Sequence, residues 1–326
     1  MSSRRAVRSG GSPQQFRSLS RRGFLTGAAA TAAATALAAC GRTSPVSSSG
    51  GSAGSSSGSR GSLTIGAIPD QDPEVLQRLY GTVADSMSTA LDLDVSYTPV
   101  TDYGAAVSLF RTGDLDLVWF GGLTGVQARL QTPGALPLAQ RDIDADFHSV
   151  FVVNSATGLA PAADDADLGP LAGLRFTYGS ETSTSGRLMP AFFLTEQGVD
   201  PQGFPGGPGF SGSHDATISL VASGSYQAGV LNEQVWASRT EDGTVDPSAV
   251  VQYARTPEYH DYHWLLGPQA VERLGDDLPD RLLAYFTGLP AGDEVLELFG
   301  AGSFIPTEAS NYTQIEAIGR DLGLIS

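Results

Sequence analysis

Lysine is absent: all 19 basic residues of the 326 are arginine. A Walker-A lysine, a Schiff-base lysine and a Ser-x-x-Lys pair are therefore excluded. Cysteine occurs once, at position 40, so no internal disulfide can form. Histidine occurs four times. His260 and His263 flank Asp261, but His-x-x-His without a third placed ligand is a poor metal signature, and no metal or cofactor is expected. Long apolar runs are missing too. The stretch from Phe24 to Ala39 is Ala-rich and falls short of the about 20 residues a membrane-spanning helix needs. Positive charge is scarce, with a net charge of −16, which argues against nucleic acid as a partner.

The positive charge that exists is concentrated at the start. Residues 1–39 hold Arg4, Arg5, Arg8, Arg17, Arg21 and Arg22 and no acidic residue, so their removal carries the net charge from −16 to −22. Ser20-Arg21-Arg22-Gly23-Phe24-Leu25 before an apolar region reads as a twin-arginine export signal. Leu37-Ala38-Ala39-Cys40 resembles a bacterial lipobox, which makes Cys40 the expected lipidated first residue of the mature chain and a link to the membrane. Residues 40–62 are mostly Ser and Gly and read as a flexible tether.

The folded part is expected from Leu63 onward. Leu63–Ile68 reads as a buried strand, and Asp72-Pro73-Glu74 carries the cap chemistry of a helix start. The helix stripe is Val75, Leu76, Leu79, Tyr80, Val83 and Met87. Strands at 95–98 and 115–120 alternate with helices, which predicts a parallel sheet. The middle repeats the pattern, with strands at 174–178, 227–231 and 250–254 and helices after Ser183–Ser185, at 213–223 and at 232–239. The C-terminal part reads as helical, with Thr307 as a cap and Ile315, Ile318 and Leu322 on one face. Two α/β lobes are expected: residues 63–150 and 258–326 in one, 151–257 in the other. Two crossings make a hinge and place a ligand in the cleft.

Four motifs occur in order: Thr101-Asp102-Tyr103, Asp114–Gly121, Gly179-Ser180-Glu181-Thr182-Ser183-Thr184-Ser185-Gly186, and Gly212-Ser213-His214-Asp215. As a set they resemble the phosphonate/phosphite solute-binding proteins of ABC importers, nearest to the branch commonly labelled selenate-binding. The resemblance covers nearly everything from Leu63 onward. It implies a two-lobe periplasmic-binding-protein fold (type II), a central cleft for a small tetrahedral oxyanion, and an ABC permease with its ATPase as partners. It also implies an extracytoplasmic, monomeric binder rather than an enzyme.

The chemistry of Ser183, Thr184 and Ser185 stands without the family. The free N–H groups of a helix start, its dipole and three hydroxyls make an anion site that needs no lysine. The alternative is an ordinary Ser/Thr cap. Arg187 lies in the same first turn, either assisting or solvated. By resemblance, Tyr103 and His214 contact the anion and Glu233 meets the ligand's organic end. Asp261 falls near a second such carboxylate. Phe147-His148-Ser149 stands where phosphonate binders carry paired tyrosines, which makes His148 a candidate. A rival reading is a secreted serine hydrolase with His214 and Glu233 as base and orienter; a ligand sensor of the same fold is another. Gly207–Gly212 matches a dinucleotide-binding string, but no strand precedes it and it reads as a loop.

Overall fold

The computed structural model describes residues 60–161 and 166–325. The signal, Cys40 and most of the tether lie outside the described residues. Strand β1 (Ser62–Ala67) leads to α1 (Pro73–Leu91). The Asp72 side chain accepts from Glu74 N–H as the cap, and Leu76, Leu79, Tyr80, Val83 and Met87 are buried, with Val75 at the stripe's edge. Strand β2 (Asp94–Tyr97), α2 (Tyr103–Thr112), β3 (Leu117–Phe120), α3 (Gly122–Gln131) and β4 (Leu136–Arg141) complete the first pass.

The chain then enters a second sheet through β5 (Ser149–Asn154) and β6 (Phe176–Tyr178). A π-helical turn, Thr184–Leu188, runs directly into α4 (Met189–Glu196), and β7 (Gly209–Phe210), α5 (His214–Ala222), β8 (Ala228–Asn232), α6 (Glu233–Glu241) and β9 (Val250–Arg255) follow. On returning it forms β10 (His263–Leu266), α7 (Pro268–Leu274), α8 (Leu278–Thr287), α9 (Glu294–Phe299), β11 (Phe304–Pro306) and α10 (Thr313–Asp321).

The first sheet has the order β11-β4-β10-β3-β1-β2 and the second β7-β6-β8-β5-β9. Both are mixed, where the βαβ pattern predicts parallel pairing. Strand β1 is parallel to β2 and β3, but β10 is antiparallel to β3 and β4, and β5 is antiparallel to β8 and β9. The reason is the route. Strands β5 and β10 enter their sheets from the opposite lobe rather than through a crossover helix, so nothing imposes parallel direction on them.

Both sheets are covered on both faces. In β5, Val150 and Val152 pack with Leu231, Val235 and Trp236, while Phe151 and Val153 pack with Phe176, Leu194 and Phe204. Such a strand reads as an unbroken apolar run. Leu188 and Met189, at the start of α4, belong to the core of the first lobe, so this helix start is clamped from across the cleft.

The two crossings, 142–148 and 256–262, run side by side. Phe147 N–H donates to Tyr259 C=O at 2.9 Å and Tyr259 N–H returns to Phe147 C=O at 3.0 Å. Thr307 does not cap the last helix. Its hydroxyl donates to Gln140 Oε1, and α10 begins after a 3-10 turn at Ala309–Tyr312. Ile315 and Ile318 are buried, whereas Leu322 is the exposed C-cap.

Candidate functional site

Three helix starts from the two lobes converge near the hinge. In the first lobe, Asp102 caps α2 by accepting from Ala105 N–H at 2.8 Å, which places Tyr103 as the first helical residue, 2% exposed. Gly121 precedes α3, whose first N–H groups reach outward: Gly122 N–H donates to Asp261 Oδ1 at 2.9 Å and Leu123 N–H to Thr184 Oγ1 at 3.0 Å. In the second lobe, Ser183 caps the π turn, accepting from Gly186 N–H at 2.9 Å. A π turn inside a helix is a common mark of a functional position. Here Gly179 N–H donates to Gly186 C=O at 2.8 Å, and a Cβ on Gly186 would stand 3.2 Å from Gly179 Cα. The glycines that flank the Ser-Thr-Ser run therefore let its two ends close.

Tyr103 Oη, Ser185 Oγ and Asp261 Oδ2 are buried and have no hydrogen-bond partner among the described residues. Leaving a buried polar atom unpaired costs about 1–3 kcal/mol, so three neighbours of this kind describe a site that takes a polar ligand. Electrostatics link Tyr103 to Asp261 directly, and Ser185 to Asp261 through Tyr259. Tyr103 is pushed well above the usual phenol range by burial first, with Asp261 adding to the shift and Ser183 opposing it. Tyr259 is raised by burial and by Asp261, with Ser149 and Ser185 opposing.

Burial lifts Asp261 to about 7; hydrogen bonds from Gly122 N–H and the Thr184 hydroxyl hold it from rising further. This carboxyl can exchange a proton with a ligand near neutral pH. Ser149 Oγ donates to Ser185 C=O at 2.8 Å, so in its 2.6 Å contact with Tyr259 the phenol is the donor. The Tyr259 proton is thus spent on Ser149.

The other residues named from sequence take different places. His214 is fully buried and burial lowers it to about 4, so its ring is neutral. Nδ1 accepts from Asn232 N–H at 3.4 Å, which puts the proton on Nε2, 3.3 Å from Tyr262 Oη. Tyr262 in turn donates to Asp70 Oδ2 at 2.9 Å and accepts from Asn232 Nδ2 at 3.1 Å. Both His214 nitrogens are therefore engaged by protein groups. Glu233 pairs with Arg255, Oε1 to Nε at 2.8 Å and Oε2 to Nη2 at 3.1 Å.

His148 is half-buried at the hinge, its Nδ1 2.7 Å from Thr256 C=O. Arg187 is 9% exposed with its guanidinium 4.4 Å from the Tyr178 ring, which settles it as packed against aromatic faces rather than solvated. His214 meets Tyr262 and Asn232 instead of a serine of the run, so it is not placed as the base of a serine nucleophile. Among the described residues no group of three or more His, Cys, Asp or Glu could hold a metal ion.

Sequence reasoning missed Asp70, Tyr262, Ser149 and Tyr259. Gly121 had a legible signal, a Gly-Gly step between a strand and a helix. A Cβ there would stand 3.1 Å from Thr184 Oγ1 and 3.2 Å from Asp261 Oδ1, with an ordinary backbone at φ −72° and ψ 161°. Gly121→Ala is expected to keep the fold but crowd the cage, lowering ligand affinity by about 1–3 kcal/mol; calorimetry beside thermal melting checks it. A separate cavity of about 370 Å³ lies beyond Tyr262, lined by Asp70, Trp119, Arg141, Asn232 and residues of α6 and α9. None of the three unpaired atoms belongs to residues lining it.

Comparison with known proteins gives the family. The family described as "ABC transporter, phosphonate, periplasmic substrate-binding protein" matches residues 65–312. A probable ABC transporter phosphite-binding protein, PhnD1 of Prochlorococcus marinus, is 47% identical over 268 residues, spanning 81% of this chain and 90% of that protein. The structure of PhnD1 in complex with methylphosphonate superposes with a TM-score of 0.78, covering 81% of this chain and 99% of that one. A binding component of a phosphonate ABC transporter from Pseudomonas aeruginosa shares the fold at 17% identity and a TM-score of 0.69, covering 79% of this chain and 85% of that one. These relatives are solute-binding proteins, not enzymes. The chain belongs to the family of phosphonate-type periplasmic substrate-binding proteins of ABC transporters.

Proposed function

We propose that this protein captures a small phosphorus oxyanion, of the size of phosphite or methylphosphonate, inside the closed cleft. Tyr103, Ser185 and the free N–H groups of the turn at Thr184 donate to the anion, and Asp261 shares one proton with it. Thr184 ties the lobes by accepting from Leu123 N–H. His214 holds Tyr262 in place rather than touching the ligand directly. His148 lies at the hinge and takes no part in the anion cage.

One observation carries the reading: the three unpaired atoms combine two hydroxyl donors with a carboxyl oxygen of near-neutral pKa. That set suits an anion able to carry a proton. Selenate and sulfate are fully deprotonated at neutral pH and offer Asp261 no proton. Glu233, occupied by Arg255, leaves no free carboxylate for an aminoalkyl tail. The phosphite-binding description of PhnD1 and its complex with methylphosphonate support the same choice.

The test is calorimetry of the mature protein with phosphite, methylphosphonate, phosphate, sulfate and selenate. The phosphorus anions are expected to bind and the last two to be rejected at neutral pH. Tight selenate binding would overturn the reading. Thr184→Ala is expected to weaken the preferred ligand by about 1.5–3 kcal/mol, the scale of hydrogen bonds to charged groups.

Delivery follows from the N-terminal segment. The protein acts as a monomer on the outer face of the cell membrane, held by lipidated Cys40 and the Ser/Gly tether, with residues 63–150 and 258–326 as one lobe and 151–257 as the other. Changing Arg21-Arg22 to Lys-Lys is expected to block export, and Cys40→Ala to release the protein from membranes. Cell fractionation reads both; a Cys40→Ala protein that stays membrane-bound would show the anchor to be something else.

A further inference from the structure

The lobes also meet away from the anion cage. The loop between β1 and α1 faces the start of α5 across the cleft, and Asp70 and Asp72 on one side bind His214 and Asp215 on the other. His214 N–H donates to Asp70 C=O at 2.9 Å. Asp72 N–H donates to Asp215 Oδ2 at 2.7 Å. Asp72 caps α1 with its side chain, so its own N–H lies outside the helix and points away from it. Asp215 supplies the acceptor from the other lobe.

The Asp215 carboxylate is itself fixed. Arg239, on α6, donates from Nε to Oδ1 at 2.7 Å and from Nη2 to Oδ2 at 3.3 Å. Two donors from one planar guanidinium hold both oxygens in orientation. The pair lies at the cleft rim, with side-chain exposures of 12% for Arg239 and 23% for Asp215. Arg239 and Asp215 belong to the same lobe, so their pair survives opening, whereas the bond to Asp72 exists only when the lobes are closed.

We propose that Asp215, aimed by Arg239, is a positioning residue for closure: it catches the Asp72 N–H and sets the closed fraction equally for every ligand. This rests on the reading that the ligand binds by closure of the two lobes. A contact present only in the closed form and touching no ligand multiplies all affinities by one factor. It acts on the dissociation rate, because release requires opening. Losing it leaves Asp72 N–H free to meet water at an exposed position and leaves Arg239 its second partner, Asp242, at 3.4 Å.

The experiment uses the full chain and the same five-anion panel, comparing wild type with Asp215→Ala, Arg239→Gln and the double variant. Asp215→Ala is expected to weaken every anion that binds by one common factor, about 3- to 30-fold, seen as faster dissociation. Arg239→Gln is expected to give part of that loss, and the double variant no more than Asp215→Ala alone. Melting of the ligand-free variants is expected to match wild type. Unchanged affinity in Asp215→Ala, or a loss that differs between anions, would overturn the proposal. So would equal destabilisation of the ligand-free protein, which marks a purely structural role. The identity of the anions bound by wild type tests the site reading separately, since the common factor is measured on whichever of them bind.

Discussion

Replacing Asp261 by Asn is expected to abolish the alkaline fall in affinity for phosphite and methylphosphonate, and to admit sulfate and selenate. The carboxyl is fully buried and lifted to about 7, burial being the largest cause. In the proposed wild-type complex, the bound anion and Asp261 share one proton. Above the pKa of both partners that proton must be taken from solvent, so affinity falls about tenfold per pH unit. Asn donates from Nδ2 without needing a proton, and the alkaline limb flattens. A fully deprotonated anion then meets a donor in place of a repelling carboxylate. The ratio of phosphite to sulfate affinity is expected to fall about 10- to 100-fold, the scale of one hydrogen bond to a charged group. Calorimetry from pH 6 to pH 9 reads both effects. A wild-type protein with no alkaline fall, or an Asn variant that still rejects sulfate, would falsify the shared proton. Glu233→Gln serves as the control and is expected to leave the ratio unchanged, because Glu233 binds Arg255. Without ligand the sign is clear. A carboxyl with a raised folded-state pKa contributes most below its unfolded value near 3.8, and its contribution is lost as pH rises through about 7.

The second large effect is on stability. Arg141 and Asp144 form a buried, two-bond ion pair, Nη2 to Oδ1 and Nε to Oδ2, both at 2.7 Å. Arg141 Nη1 also donates to Phe299 C=O at 2.9 Å. Its guanidinium lies 5.6 Å from the Trp119 ring and 5.3 Å from that of Tyr262. Arg141→Met strands the Asp144 charge in the first lobe, at a cost of about 3–5 kcal/mol, which for a domain of this size lowers the melting temperature by about 10 °C. The double variant Arg141→Met/Asp144→Leu removes both charges and is expected to recover much of the loss. A single variant that melts like wild type would show that water or a shifted side chain relieves the charge. Asp144 C=O also accepts from Asp261 N–H at 3.1 Å, so the same pair steadies Asp261.

Local chemistry made much of this legible in advance. Asp72-Pro73-Glu74 caps α1 as its residue types dictate, and the apolar stripe of that helix is buried at the predicted spacing. Ser183, Thr184, Ser185 and Tyr103 come together at helix starts because a start leaves N–H groups unpaired and favours hydroxyls beside them. Strands β5 and β10 were not legible, since each is buried on both faces and enters its sheet without a crossover helix.

What only the tertiary structure decided is who partners whom across the cleft. Glu233 and Asp261 are both carboxylates in motif-like surroundings, yet one meets Arg255, twenty-two residues on, and the other is stripped of water beside Thr184 and Gly122. His214 sits at a helix start like Tyr103, but Tyr262 and Asn232 take both of its nitrogens. A residue type states what a side chain can donate or accept. Burial and the neighbours brought from distant sequence decide whether that capacity is spent inside the protein or kept for a ligand.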